Sequence, residues 1–307
     1  MRLGFALPQI GPHPGSEALI TVAKGAEELG FDTLWVLDRL LWPVDPQAPY
    51  PVGDGSLPEL YKIVLDPLET LTFVGAHTSR IDLGTSVLNI PFYNPVMLAR
   101  RLSTIDVLSG GRLRIGLGNG WSPDEFDAAG SAMKDRGKRA DEFLEVLKAI
   151  WTTDPVEFKG EYYSISKSFI GPKPVQKPHP PIFMAAYVPA ALRRVSRYSD
   201  GWMPVGIPLG GVAQMFEGIK EVARESGRDP ETLDLVVRGL LEFSETPING
   251  ERADFTGTPE QIKGDISAAR EMGTSEVILD VQFSPGVDSV EQVVARMEQV
   301  WELAQES

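Results

Sequence analysis

The stretch RLRIGLGNGW, residues 112–121, decides how this chain folds. Its first half alternates as a strand does. Residues two apart share a face, so Leu113, Ile115 and Leu117 cover one side while Gly116 and Gly118 bare the other. A dinucleotide-binding fold would need Gly-x-Gly-x-x-Gly between its first strand and helix, with an acidic residue about 20 positions further on. Here the spacing is Gly116-x-Gly118-x-Gly120, the chain continues Trp121-Ser122-Pro123 rather than into a helix, and the strand is fourth in its series. That reading fails on spacing and on context. Glycines at the C-terminal end of a barrel strand either let a flat ring approach the backbone or relieve crowding inside the barrel.

Working outward, strand-like runs at 2–8, 31–38, 80–90, 111–118, 181–186, 200–205, 233–241 and 275–283 are each followed by helical sequence. Helical spacing over 16–30 ends in Gly30, a C-cap signal. Helices over 66–79 and 94–110 begin Asp66-Pro67 and Asn94-Pro95, a side-chain cap followed by proline in the first turn. Further helices are expected over 133–151 and 288–305, with a short acidic one near DEFDAAG. Residues 39–65 form a long loop rich in proline and glycine, the kind that carries function or moves. Residues 152–180 break the rhythm with a β-hairpin excursion and a proline-rich link. Eight strand–helix units predict an α/β fold, a (β/α)8 TIM barrel formed as one domain over 1–307 with the insertion at about 152–180. An open doubly wound sheet is the alternative.

The 307 residues are 42% hydrophobic and include no cysteine, which excludes disulfides, thiolate metal sites and cysteine nucleophiles. The three histidines, at 13, 77 and 179, are scattered, so no metal centre is expected. A net charge of -14 argues against a nucleic-acid or membrane-surface partner, and it means that an anionic ligand needs a locally positive pocket. The start MRLGFALPQIG has no basic stretch ahead of a sustained apolar run, and no apolar run approaches membrane-spanning length. A cytoplasmic location is the expectation.

Several segments carry a resemblance: AEELGFDTLWVLDR (26–39), SRIDLGTSVL (79–88), LSGGRLRIGLGNGWSPDEFDAAG (108–130), TTDPVEFKGEYY (152–163), PKPVQKPHPPIFMAA (172–186) and PAALRRVSRYSDGW (189–202). In this order they resemble the luciferase-like monooxygenase superfamily, and more narrowly its coenzyme F420-dependent oxidoreductase branch. The resemblance implies a barrel with an insertion near 152–180, a homodimer, and a flat flavin-type ring lying across the C-terminal strand ends. Coenzyme F420 is the implied cofactor, with FMN as the alternative. A flavin or F420 reductase supplying reduced cofactor is an implied partner.

The resemblance also assigns residues. Asp38 matches an aspartate that touches the ring system, and Arg39 stands where some relatives carry a catalytic histidine. An Asp38–Arg39 surface pair is the plainer reading. Ser86-Val87 matches a non-prolyl cis peptide behind the central ring. Asn119 and Gly120 end strand four, where Asn119 can both donate to and accept from the pyrimidine edge of a flavin. Trp121 stands where the sugar-phosphate branch has a catalytic glutamate, and would instead wall the substrate pocket. Ala185, Ala186 and Tyr187 precede a helix whose N-terminus favours the cofactor phosphate. Trp42 and Tyr93, in the loops after strands two and three, are candidate clamps for a hydrophobic substrate. His13, in the loop after strand one, is a candidate proton donor, with a tyrosine or water as alternatives. His13, Asp38 and Arg39 are the catalytic candidates.

The expected activity is hydride transfer between reduced F420 and a small, hydrophobic organic substrate such as an enone or imine. An FMN monooxygenase using oxygen is the alternative. A cofactor-storing barrel, and a hydrolase using Asp38 and Glu125, are the two other readings.

Overall fold

The structure is a computed structural model and describes residues 1–11 and 14–307. The strands β1 (Arg2–Ala6), β2 (Thr33–Val36), β3 (Asp82–Thr85), β4 (Leu113–Gly118), β5 (Ile182–Met184), β6 (Gly201–Trp202), β7 (Asp234–Leu240) and β8 (Glu276–Asp280) pair in parallel, each with the next in sequence. Arg2 to Phe5 then pair with Glu276 to Leu279, which closes the ring. The fold is the expected (β/α)8 barrel, and the open-sheet alternative falls.

The helices are α1 (Ser16–Leu29), α2 (Pro67–Gly75), α3 (Pro95–Ser109), α4 (Pro123–Ala128), α5 (Arg136–Thr152), α6 (Pro189–Tyr198), α7 (Leu209–Glu225), α8 (Pro259–Glu271) and α9 (Val290–Gln305). Their starts follow the local chemistry. Asp66 Oδ1 accepts from the amides of Leu68 and Glu69, and Asn94 Oδ1 from those of Val96 and Met97, so free N–H groups of the first turn find acceptors. Among the described residues, no helix is long and apolar enough to cross a membrane.

Two apolar layers result. The larger lies between strands and helices; Leu34, Leu83 and Leu117 point into it from their strands, and Leu71, Leu102 and Leu147 from the helices. The smaller fills the barrel with Ala6, Trp35, Phe183, Met203, Val236 and Ile278. The indole of Trp35 occupies so much of this space that Gly4 and Gly84 must lack side chains: a Cβ at either would strike its ring. Beneath the indole, Glu276 Oε1 accepts from Trp35 Nε1 at 2.8 Å, while Glu276 Oε2 lies 3.3 Å from both Arg2 Nε and Arg114 Nη2. The barrel is therefore plugged at its N-terminal end.

The insertion is the expected hairpin, with strands Val156–Lys159 and Ser164–Ser168 antiparallel. Its turn is held by Glu142 of α5, whose carboxylate accepts from the amides of Glu161, Tyr162 and Tyr163 at 2.6–3.0 Å. The proline-rich link is held by Asp106 of α3 through the amides of Val175 and Gln176.

Candidate active site

At the C-terminal end of the barrel lies a cavity of about 550 Å³. Its position is set by the strand ends, the place where barrel enzymes build their sites. One wall is made by backbone at the ends of β3, β4 and β5: Ser86, Val87, Gly118, Asn119, Ala185 and Ala186 all face it. The rest is made chiefly by side chains of the 39–65 loop and of the segment after β4, and by residues 203–207 after β6.

The strand-end wall answers the question of the three glycines, and each has a different reason. A Cβ at Gly116 would collide with the carbonyl oxygen of Thr85, so this glycine relieves crowding at the β3–β4 seam. There Thr85 Oγ1 replaces the ladder, bonding both Gly116 N and Gly116 O at 2.9 Å. Gly118 lines the cavity and leaves room for Val87, whose Cγ2 would lie 2.8 Å from a Cβ at this position. Gly120 also lines the cavity and has φ of +65°, a left-handed conformation that favours glycine. Of the two readings of these glycines, relief of crowding holds for Gly116.

Between β3 and the resumed pairing of Leu88 and Asn89 with β4, the Ser86–Val87 peptide is cis, as the resemblance implies. Arg238, from the middle of β7, reaches this point. Its Nη1 donates to Ser86 O at 2.7 Å, and its Nη2 to Asp280 Oδ2 at 2.5 Å. Burial opposes the charge of Arg238, but Asp280, Tyr61 and Tyr50 together outweigh burial and raise the pKa. Asn119 presents a buried Oδ1 that has no hydrogen-bond partner among the described residues.

Asp38 is 6% exposed and lines the cavity, with Oδ2 accepting from Tyr93 Oη at 2.9 Å and from the amide of Asn89 at 3.4 Å. Burial pushes its carboxyl up to about 6, against the two hydrogen bonds that favour the ionised form. It is not paired with Arg39. Arg39 instead turns to Glu125 of α4, with Nη1 at 3.3 Å from Oε2, and that pair is buried. The surface-pair reading of Asp38 and Arg39 falls. So does a two-carboxylate reading of Asp38 with Glu125: Glu125 is spent on Arg39 and on the amide of Leu40, and is not part of the cavity lining.

Trp121 lines the cavity as expected, edge-to-face with Tyr50 at 5.6 Å. Ala185, Ala186 and Tyr187 line it too and lead into α6, whose N-terminus has no side-chain cap. The Ala185 amide, however, is spent on Leu117 O at 2.9 Å and has no hydrogen left for a phosphate. Two of the expected clamps lie elsewhere. Tyr93 is not part of the lining and acts on Asp38 through its hydroxyl. Trp42 stands outside the cavity, its ring under the ammonium of Lys62 at 4.3 Å. His13 lies outside the described residues.

The sequence reading misses Tyr50, Tyr61, Arg136 and Arg238, all of which line the cavity. For Arg238 a signal exists: a lone charge inside the apolar run LVVRGLL, residues 235–241, is costly unless it is paired and used. For Tyr50 and Tyr61 none exists, because the loop has no periodicity from which to read a face.

The family description "luciferase-like monooxygenase" matches residues 1–253. The chain is 30% identical over 286 residues to an F420-dependent glucose-6-phosphate dehydrogenase of Amycolatopsis mediterranei, covering 89% of this chain and 79% of that one. It is 34% identical over 155 residues to an FMNH2-dependent dimethylsulfone monooxygenase of Pseudomonas putida, covering 50% of this chain and 42% of that one. Among solved structures, a monooxygenase from Streptomyces bottropensis superposes with a TM-score of 0.81 over 100% of this chain and 99% of its own, at 23% identity. That last likeness is one of fold.

Proposed function

The chain belongs to the luciferase-like monooxygenase family, and from that premise we propose that it is an F420-dependent oxidoreductase acting on a small organic substrate in the cavity at the strand ends. One observation carries the flavin-type reading: Asn119 offers a buried acceptor without a donor on the wall formed by the ends of β3, β4 and β5. The pyrimidine edge of a flavin or deazaflavin presents an N–H between two carbonyls, the donor that this oxygen lacks. Of the three arginines among the lining residues, Arg39 and Arg238 are paired with Glu125 and Asp280, and Arg136, with no carboxylate partner among the described residues, suits an anionic cofactor in a protein of net charge -14. The deazaflavin is preferred to FMN because the likeness to the F420-dependent dehydrogenase runs over 89% of the chain, against 50% for the FMNH2-dependent relative.

When bound, the reduced deazaflavin supplies a hydride, the protein contributing orientation and electrostatics. Asn119 and the Ser86–Val87 segment would hold the ring, with Arg238 fixing the Ser86 carbonyl. Asp38, its carboxyl raised to about 6 by burial, takes up and releases a proton near that pH at Oδ1, while Tyr93 and Asn89 hold Oδ2 in place. It thereby fills the acid role that the missing histidine and glutamate leave open. Trp121, Tyr50 and Tyr61 keep water from the substrate side.

The FMN reading keeps one supporting observation, the FMNH2-dependent relative. A side-by-side equilibrium titration with F420 and FMN separates the two. Tighter binding of F420, weakened about tenfold by Asn119→Leu through loss of one hydrogen bond, is expected. Preference for reduced FMN with oxygen consumed on turnover overturns the F420 assignment.

A further inference from the structure

Arg39 lines the cavity, its side chain is 7% exposed, and only one of its nitrogens has a charged neighbour. Nη1 lies 3.3 Å from Glu125 Oε2, whereas Nε and Nη2 are buried with no hydrogen-bond partner among the described residues. Nε and Nη2 form the side-on edge of a guanidinium, two parallel N–H groups whose spacing matches the two oxygens of a carboxylate. Two aromatic rings lie against the same cation: its Cζ is 5.3 Å from the centre of Tyr61 and 5.0 Å from that of Trp121. Such contacts attract the cation without supplying a hydrogen-bond acceptor to Nε or Nη2.

We propose that Arg39 is the substrate-recognition residue of this cavity and takes a carboxylate carried on a flat, aromatic or unsaturated body. The proposal deepens the preceding reading, resting on it for the identity of the cavity as the redox site. Tyr50, Tyr61 and Trp121 line the same cavity as Arg39 and form a connected aromatic cluster, with ring centres 5.6–6.1 Å apart, and this cluster suits a flat body. A neutral carbonyl would meet one arm of the fork and leave a buried cation half-satisfied. A carboxylate meets both arms and neutralises the charge. Glu125 does not compete for the edge, because its other oxygen is held by the amide of Leu40 at 2.9 Å.

The test is a binding measurement on the full chain without cofactor, by calorimetry, using cinnamate and its neutral isostere cinnamamide as probes. Wild type should bind the acid at least about tenfold more tightly than the amide. Arg39→Met should abolish that preference, and Arg39→Lys, which keeps the charge without the fork, should recover only part of it. Equal affinity of wild type for acid and amide, or no detectable binding of the acid, overturns the proposal even if neither variant folds. An undiminished preference in a folded Arg39→Met does the same. Separate titrations with F420 and FMN keep the two readings apart. Wild type that binds neither cofactor but still prefers the acid sinks the redox assignment alone, whereas wild type that binds a cofactor but shows no acid preference sinks the role of Arg39 alone.

Discussion

Asp38 has a carboxyl whose folded pKa, about 6, lies above its ordinary value of 3.8 because burial disfavours the charge. A carboxyl raised in this way stabilises the fold while it keeps its proton. As pH rises from about 4 to 6 the unfolded chain ionises first, so stability falls across that window and is level above it. The whole effect is worth about 3 kcal/mol. Asp38→Asn keeps an acceptor for Tyr93 and Asn89 but has no proton to lose. Urea unfolding at pH 4 and pH 7 should therefore show the variant gaining about 2 kcal/mol on wild type between the two, the rest of the effect lying below pH 4. An unchanged difference would place the carboxyl at its ordinary acidity and remove it as the acid of the site. At this scale the sequence is informative where a strand end fixes the direction of a side chain, as at Asp38, Ser86 and Asn119. It is uninformative where a long side chain chooses its own partner. Arg39 stands beside Asp38 in sequence yet pairs with Glu125, and no spacing rule foretells that choice.

Among the elements, those with a period are the ones read correctly. Strand alternation and Asx-Pro helix starts depend on neighbours within a few residues, and the eight units and the hairpin emerge where the pattern puts them. The 39–65 loop has no period, and its choice of Tyr50 and Tyr61 rather than Trp42 for the cavity depends on packing across the barrel mouth. The hairpin shows how an element without a core of its own is held. Its pairing is only four and five residues long, and such a hairpin is marginal alone in water. Glu142 supplies the missing support by taking three turn amides, and the close approach of its carboxylate leaves no room for a Cβ at Gly160. Glu142→Ala should expose the amides of Glu161, Tyr162 and Tyr163 to hydrogen exchange and cost about 1–3 kcal/mol in global stability. Cofactor affinity should not move, because none of these residues lines the cavity. Retained protection at the three amides would mean that the hairpin stands by its own strand pairing.

For the molecule as a whole, the sequence count of eight units foretells a closed barrel but not what fills it, because alternation reports the face of a residue and not its depth. Trp35 reads as one apolar residue of strand two, yet it occupies the barrel axis, with Gly4 and Gly84 cleared around it. The filling divides the molecule into two ends along a single strand. β8 carries Glu276 on the floor, between Arg2 and Arg114, and Asp280 at the mouth, holding Arg238 beside Ser86. Both carboxylates are fully buried, and in both cases removing one partner strands a buried charge. The consequences should differ, because barrels keep stability at the N-terminal face and chemistry at the C-terminal face. Glu276→Ala leaves Arg114 without a carboxylate partner, whereas Arg2 keeps Asp82, and should cost about 3–5 kcal/mol in urea unfolding, with cofactor affinity changed less than about twofold. Asp280→Asn should weaken cofactor binding as well as stability, since the released Arg238 no longer fixes the Ser86 carbonyl. If Glu276→Ala and Asp280→Asn lower stability and cofactor affinity in the same proportion, the floor and the mouth are one cooperative unit, and the division of labour along β8 is wrong.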